Sequence, residues 1–421
     1  MSAALTESTD TTLPRLLSED RADLSTYGPL AYRGAPHLLI ETIEQSGLTG
    51  RGGAAFPTSR KLLAVAAAGR MGVVVANGSE SEPASAKDKT LLWMAPHLVL
   101  DGLQLAAEAV GAKEGIVYLH RSAKVRGRVE AAIAERRRTK RDRVPVRVVD
   151  APPRFLSGEE SAVVQRLDGG AARPKYKVPR ILEKGVGGSP TLVQNVETFA
   201  HLALIGEYGP GWFRAVGTDD EPGTMLTTCR RSDGAVEVIE VPIGLKLSRL
   251  LRLTEHPAQA VLVGGYHGAW LPRAAAAKVT MSNADLRPLG AALGAGVVVA
   301  LPRGRCGVAE SARVLRYLAA ESAGQCGPCL NGLPRIANAW GAVAAGKAEP
   351  GVLDNLHRWA GLVIGRGACK HPDGSVRFLR SALTTFADEV DLHLAGECSA
   401  TDHTPWLPVP EGGPSNEQDW R

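Results

Sequence analysis

GLTGRGGAAFPTSRKL, residues Gly47 to Leu62, is the stretch from which the rest of the chain is read. Gly50, Gly52 and Gly53 surround Arg51, and Phe56-Pro57-Thr58 and the cations Arg60 and Lys61 follow. Glycines in such density let backbone N–H groups approach an anion, with positive charge beside them. That is the chemistry of a phosphate cradle. The spacing is neither G-x-G-x-x-G nor G-x-x-x-x-G-K-[ST], so by itself it leaves open a glycine-rich turn without a ligand.

The flanks supply a context. His37 to Gly47 carries Leu38, Leu39 and Ile43 at helical spacing, and Arg60 to Ala68 predicts a second helix. Met71 to Ala76 is an apolar run of the kind that makes a buried parallel strand. A helix over Leu98 to Val110, a strand over Gly115 to Leu119, a charged helix over Val125 to Arg138 and a strand over Val144 to Val149 continue the alternation. This predicts an α/β domain with a mostly parallel sheet. Ligands sit at the carboxyl ends of such strands, where the polar loops Asn77 to Pro83 (NGSESEP) and Phe155 to Ser161 (FLSGEES) fall. Helix-dipole compensation is the blander reading of Glu159 and Glu160, but two such loops beside a phosphate cradle in one domain favour a ligand site. Gly185 to Pro190 leads into Thr191 to Thr198 and a helix, with amide and hydroxyl groups able to bond a heterocycle edge.

Near Thr218 to Pro222 the pattern shifts to short β-like runs, Met225 to Cys229, Val236 to Val241 and Ala260 to Val263, around a turn and short helix at Leu247 to Leu253. From Val308 it turns helical: Val308 to Ala320, Leu330 to Ala345, Gly351 to Val363 and Val376 to Leu394, four helices that suggest a bundle. The expected organisation is a polar lead-in over 1–27, an α/β domain over 28–221, an α+β module of ubiquitin-like size over 222–300, a helical region over 301–402, and a loose proline-bearing tail over 403–421.

With 44% apolar residues and a net charge of +5 in 421 residues, the composition is that of a globular chain and does not imply nucleic acid. The basic run Arg136 to Arg141 reads as a solvated helix end. No apolar run approaches the roughly 18 residues of a membrane span, and the first residues lack a secretory pattern, so a cytoplasmic location is expected. Six cysteines in that setting point to metal-binding, catalytic or buried thiols. Cys326 and Cys329 form a C-x-x-C pair, with Cys369 downstream.

GRGGAAFP, NGSESEP, SGEES, PTLVQNVET, a β module and then ESAGQCGPC, in that order, resemble the flavin-bearing, NADH-oxidising subunit of respiratory complex I and its relatives in soluble hydrogenases and formate dehydrogenases, over residues 30 to 395 or so. The resemblance implies a Rossmann-like FMN-binding α/β domain, a β-grasp module of the SLBB type, and a four-helix bundle holding a [4Fe-4S] cluster. It further implies hydride transfer from NADH to FMN, then single electrons to iron–sulfur centres and a protein partner, ferredoxin-like or a membrane reductase. Matched positions put Gly50, Arg51, Gly52 and Lys61 around the FMN phosphate and ribityl chain, and Asn77, Glu80 and Ser81 against the flavin. Glu159 and Glu160 fall near flavin and nicotinamide, with Glu160 in the catalytic role. Val193, Gln194, Asn195 and Thr198 match the isoalloxazine edge, Phe56, Glu82 and Lys177 match NADH contacts, and Cys326, Cys329 and Cys369 match cluster ligands.

The chain departs from the family at Ser79, Phe155 and Gln194, which stand for an acid, a tyrosine and an asparagine. Ala64 and Arg180 replace aromatic residues that grip the adenine, which leaves a donor other than NADH open. Ala323 replaces the first cluster cysteine, although four thiolates ordinarily complete such a site. Cys306, His371, a [3Fe-4S] centre, water or a partner's residue are the alternatives; a helix over Val308 to Ala320 would hold Cys306 roughly 20 Å away. Two further readings are a flavoprotein working with ferredoxin or a membrane reductase, and a non-catalytic SLBB scaffold.

Overall fold

A computed structural model of the protein describes residues 13–18, 23–27, 35–69, 71–121, 123–176 and 180–421. Its first sheet is parallel throughout, with strands β1 (Gly72–Gly78), β2 (Ala112–His120), β3 (Val146–Ala151) and β4 (Thr191–Asn195) in the order β3-β2-β1-β4. The unbroken apolar character of β1 has a direct cause, because both faces of the strand are covered. Val74 and Ala76 join the core formed with α1 (Pro36–Ser46), α2 (Thr58–Ala66), α3 (Lys87–Met94), α4 (Pro96–Ala109) and α5 (Ala123–Arg138). Val73 and Val75 face Val163 of α6 (Glu160–Leu167) and Val193 of β4. Each such valine contributes about 1.5–3 kcal/mol on burial. Helix α7 (Val196–Arg214), broken at Gly209 ahead of Pro210, packs on α4 so closely that a Cβ on Gly102 would fall 1.9 Å from the Phe199 carbonyl oxygen.

The second sheet contains β5 (Thr224–Arg230), β6 (Val236–Pro242), β7 (Ala258–Val263), β8 (Ala269–Pro272) and β9 (Val297–Pro302), ordered β6-β5-β9-β7-β8. Only β5 and β9 pair in parallel; the other neighbours are antiparallel. One face closes over Leu247, Leu251 and Leu286, while Ala260, Leu262 and Val299 on the other pack against the helical region.

That region has α8 (Gly307–Ala320), α9 (Leu333–Ala344), α10 (Val352–Val363), α11 (His371–Thr385) and α12 (Ala387–Leu394). The single helix expected over Val376 to Leu394 is two, separated at Phe386 (φ −114°, ψ 30°), whose ring packs edge-on to Trp270. The tail expected to be loose is anchored instead. Trp406 donates its indole N–H to Ala300 O and its amide to Glu310, and Trp420 is buried with its carbonyl accepting from Ala172 N–H. In the lead-in, the Arg15 and Leu16 amides both donate to Glu240 at 2.7 Å. The basic run is not wholly solvated either: Arg136 is buried and bridges Asp101 and Asp142. Among the described residues no helix is long and apolar enough to cross a membrane.

Candidate functional site

The chain leaves β1 for β2 and β3 on one side and returns with β4 on the other, so the crevice at the carboxyl ends of β1 and β4 is a topological switch point. Asn77 and Asn195 face each other there in register. The glycine loop is fastened to this edge. Arg51 N–H donates to Thr198 Oγ1 at 2.9 Å, and Gly50 N–H donates to Phe56 O at 2.9 Å. Gly52 and Gly53 are exposed, and Gly53 has φ 103°, a conformation that L side chains rarely adopt. Lys61 extends from α2 to the Glu160 carboxylate and to Val193 O at 3.3 Å. Asn77 donates to Gly158 O at 2.8 Å, tying β1 to the SGEES loop, and Ser81 Oγ lies 3.4 Å from Ser157 Oγ. The structure thus gathers Gly50, Gly52, Lys61, Asn77, Ser81, Glu160, Val193, Gln194 and Thr198 at one edge.

Gln194 carries the clearest sign of a missing partner. Its side chain is buried, its Oε1 lies 3.6 Å from the Cβ position of Gly50, and its Nε2 has no hydrogen-bond partner among the described residues. An unmatched buried amide costs about 1–3 kcal/mol, which a ligand acceptor at this point would remove.

Other expected ligand residues are committed to protein contacts. The Arg51 guanidinium donates to Thr224 O, to Thr49 and to Pro222 O, bracing the loop against β5. Asn195 caps α7 through Glu197 N–H and donates to Asp88. Glu80 accepts from Ser85 Oγ and from the Asp88 and Lys89 amides at the start of α3. Glu159 caps α6 through the Ser161 and Ala162 amides, so for this acid the helix-terminus reading describes the geometry. Glu82 accepts from Tyr266 N–H at 2.8 Å. Phe56 is 43% exposed at the loop's rim. Lys177 lies outside the described residues.

A buried ionic centre lies beneath the crevice, and the sequence pattern did not point to it. Lys87 Nζ contacts Asp88 at 2.7 Å, Glu197 at 2.8 Å and Asn195 Oδ1 at 3.1 Å, and Glu197 also accepts from Leu226 N–H on β5. Burial opposes the charge of Lys87, but Asp88 and Glu197 outweigh it and hold the ammonium firmly protonated. Burial opposes the charge of Glu197 as well; Lys87 prevails and holds that carboxyl down to about 2. For Asp88 burial wins and the carboxyl is pushed up to about 6. The available signal is the Lys-Asp pair soon after the polar loop.

Cys326, Cys329 and Cys369 converge beyond α8. Cys329 lies on a π-helical turn, Pro328–Gly332, a feature frequent at functional sites. Burial pushes its thiol up to about 12; the neighbouring Cys326 and Cys369 act in the same direction, and a hydrogen bond with the Ser322 side chain opposes them. The Ser322 side chain therefore lies against Cys329. Ala323, in place of the first cluster cysteine, is buried in an apolar cluster with Leu156 and Trp420. Cys306 precedes the 14 residues of α8, about 20 Å from its far end, and does not join this centre. His371 is buried rather than solvated, and both ring nitrogens are engaged, one 2.8 Å from Leu318 O and the other 3.0 Å from His267 Nε2.

Glu321 joins the two sites by accepting from Phe155 N–H at 2.8 Å and from Arg154 at 3.0 Å. A phosphate-type cradle at a sheet switch point, linked through one carboxylate to a three-thiol centre, defines a two-centre electron-transfer protein. Residues 43–204 match the Nuo51 FMN-binding domain, and residues 309–393 match the NADH-ubiquinone oxidoreductase-F iron-sulfur binding region. The chain is 31% identical to the F 2 subunit of the NADH-quinone oxidoreductase of Rhizobium meliloti (strain 1021), over 85% of this chain and 89% of that one. It is also 31% identical to the alpha subunit of the NAD-reducing hydrogenase HoxS of Cupriavidus necator, over 83% of this chain and 61% of that one. A crystal structure of NAD+-reducing [NiFe]-hydrogenase in the H2-reduced state aligns with a TM-score of 0.80 at 29% identity, covering 87% of this chain and 64% of that chain. The protein thus spans less than two thirds of those hydrogenase chains. It belongs to the family of NADH-quinone oxidoreductase F-type subunits, which are FMN and iron–sulfur oxidoreductases. The orphaned Gln194 amide and open glycine loop fit FMN, and the converging thiols fit an iron–sulfur centre with an atypical fourth ligand.

Proposed function

We propose that the protein oxidises NADH at the β1–β4 crevice and delivers single electrons through the thiol centre to a protein partner. The carrying observation is the junction at Glu321, which places the SGEES loop directly against the loop that bears Ser322 and Cys326. FMN, when bound, supplies the hydride acceptor that divides a two-electron input into single electrons. The main chain of Gly50 and Gly52, with Lys61, would hold its phosphate and ribityl chain, and Asn77, Ser81, Val193 and Gln194 its ring system. Arg51, Glu80, Asn195 and Thr198 act by fixing the loop and the helix starts, as their protein contacts support. Lys61 and Glu160 set the charge at the crevice, and Phe56, Glu82 and Lys177 belong to the donor side. Cys326, Cys329 and Cys369 would hold the cluster.

The second sheet is read as a β-grasp module of the SLBB type. Taken in chain order its strands run 2-1-5-3-4, with the first and last parallel, and β5 and β9 bound it near 222 and 302. Six cysteines without a disulfide suit a reducing cytoplasm. The helical region from 301 to 402 carries the cluster. The tail beyond it is part of the packed body.

Anaerobic titration with NADH tests the reading. Bleaching of the flavin band on addition of NADH is expected. Flavin that stays oxidised with NADH but is reduced by reduced ferredoxin would establish the second reading, favoured by the exposed Ala64 and Arg180 in place of adenine-gripping rings. Protein that cannot be loaded with FMN would overturn both.

A further inference from the structure

A second group of metal-type ligands lies at the opposite end of α8. Cys306, Glu389, His393 and Cys398 each present one ligand atom, and all four atoms lie within 4.8 Å of one another. Cys306 Sγ is 3.2 Å from His393 Nε2 and 3.9 Å from Glu389 Oε1, and those two are 3.4 Å apart. With Zn–S near 2.3 Å and Zn–N or Zn–O near 2.0–2.2 Å, the edges of a tetrahedral zinc site measure about 3.3–3.8 Å. The separations among Cys306, Glu389 and His393 are close to those edges, and the Cys398 thiol lies within 4.8 Å of each of the three. An iron–sulfur cube would spread its ligands wider.

Local structure explains why these atoms converge. Glu389 and His393, four apart on α12, share one helix face. Cys306 caps α8 and accepts from Ala309 N–H at 3.2 Å, and Ser399 donates its amide to Glu389 at 3.0 Å. Cys306 and His393 are 4% and 5% exposed, so two of the ligands lie in the interior, while Glu389 is half-buried and Cys398 faces solvent. A nucleophile–base relay does not fit, because Cys306 and Glu389 both meet the same ring nitrogen of His393 instead of opposite ones.

We infer that Cys306, Glu389, His393 and Cys398 form a closed, structural zinc site that staples the start of α8, the end of α12 and the C-terminal segment together. Thr401 and Asp402 amides donate to Gly304 O beside it, and the segment continues to the buried Trp406. The ion would clamp the helical region from the side remote from the thiol centre.

Metal analysis of the purified full chain tests this. One zinc per chain is expected in addition to iron. Cobalt(II) added to zinc-stripped protein should give the visible bands of a tetrahedral site and thiolate charge-transfer absorption. Loss of an outer-shell partner already weakens metal binding about 10–100-fold, so Cys398→Ser, at the exposed ligand, should lower zinc retention by more than ~10-fold. Iron and flavin content should be unchanged. Three results would overturn the assignment: no zinc and no cobalt spectrum in the wild type, loss of iron in place of zinc in Cys398→Ser, or a Cys306–Cys398 disulfide in anaerobically prepared protein.

Discussion

Glu321 accepts the Phe155 amide at 2.8 Å, and through this contact the acidic loop of the α/β domain rests on the residue that opens the cysteine loop. Glu321 is buried, and burial raises its carboxyl while the Phe155 amide and Arg154 favour the charged form. Phe155 also lies edge-on to Tyr317 and His267, so the junction is packed with aromatic rings.

Glu321→Ala leaves the Phe155 N–H and Arg154 without their acceptor, at about 1–3 kcal/mol. Flavin and iron contents are expected to stay near wild type while electron delivery from reduced flavin to the thiol centre slows. Stopped-flow reduction followed separately at the two centres checks this; an unchanged second phase would show that the junction has no part in positioning them.

Gln194 separates cofactor binding from folding. Because its Nε2 is unmatched among the described residues, Gln194→Leu is expected to leave apoprotein stability unchanged or raise it by about 1 kcal/mol. The same change should weaken FMN by about 10-fold, the equivalent of one hydrogen bond of about 1.4 kcal/mol. Denaturant midpoints of apoprotein and a flavin titration read the two effects independently. Apoprotein destabilised by several kcal/mol would show that the amide serves the fold.

The parts legible in the sequence are those where one physical cause dominates. Val73 to Ala76 reads as a strand because both faces are apolar, and the glycine loop reads as a cradle because little else requires glycines at that density. β4 does not stand out, because TLVQN is short and ends in two amides that look like loop. Arg51 reads as an anion contact because sequence carries no information on where a guanidinium points; the carbonyls of Thr224 and Pro222 are 171 or more positions away. The break at Phe386 is equally hidden, since the apolar spacing runs on through it and the bend is set by distant contacts, the ring packing on Trp270 and against Gly307. The tail carries the prolines of a loose segment, but Trp406 and Trp420 find cavities formed by distant elements.

Lys87 is the residue on which the ground beneath the crevice depends. Lys87→Met removes the only cation in contact with the Asp88 and Glu197 carboxylates among the described lysines and arginines and leaves two buried acids facing each other. Breaking a buried pair from one side costs about 3–5 kcal/mol. The lower denaturant midpoint should come with loss of bound flavin, because Asn195 and the β5 contact of Glu197 rest on the same centre. The double change Lys87→Met with Glu197→Gln should recover part of the loss. No recovery would place the effect in packing.

His201 sets the acid side of the stability profile. It is buried beside Glu197 and against the edge of Phe213, and burial, followed by the nearby positive charge of Arg51, holds its imidazole down to about 4. Glu197 favours the charged ring but is already neutralised by Lys87, so the neutral imidazole is the folded form. A folded pKa below the unfolded value of about 6.5 means that the unfolded chain binds more protons between the two. Its contribution is therefore complete above pH ~6.5 and is lost as pH falls toward 4, by about 3 kcal/mol in all at 1.36 kcal/mol per unit. Asp88, raised to about 6, works in the opposite direction over part of this range, so the wild-type profile is shallower than His201 alone would make it. His201→Gln should remove this loss on acidification, so that the variant compares better with wild type at pH ~4.5 than at pH ~7, as read by denaturant midpoints across that range. Parallel profiles for the two proteins would show that His201 titrates in the folded state as it does in the unfolded one.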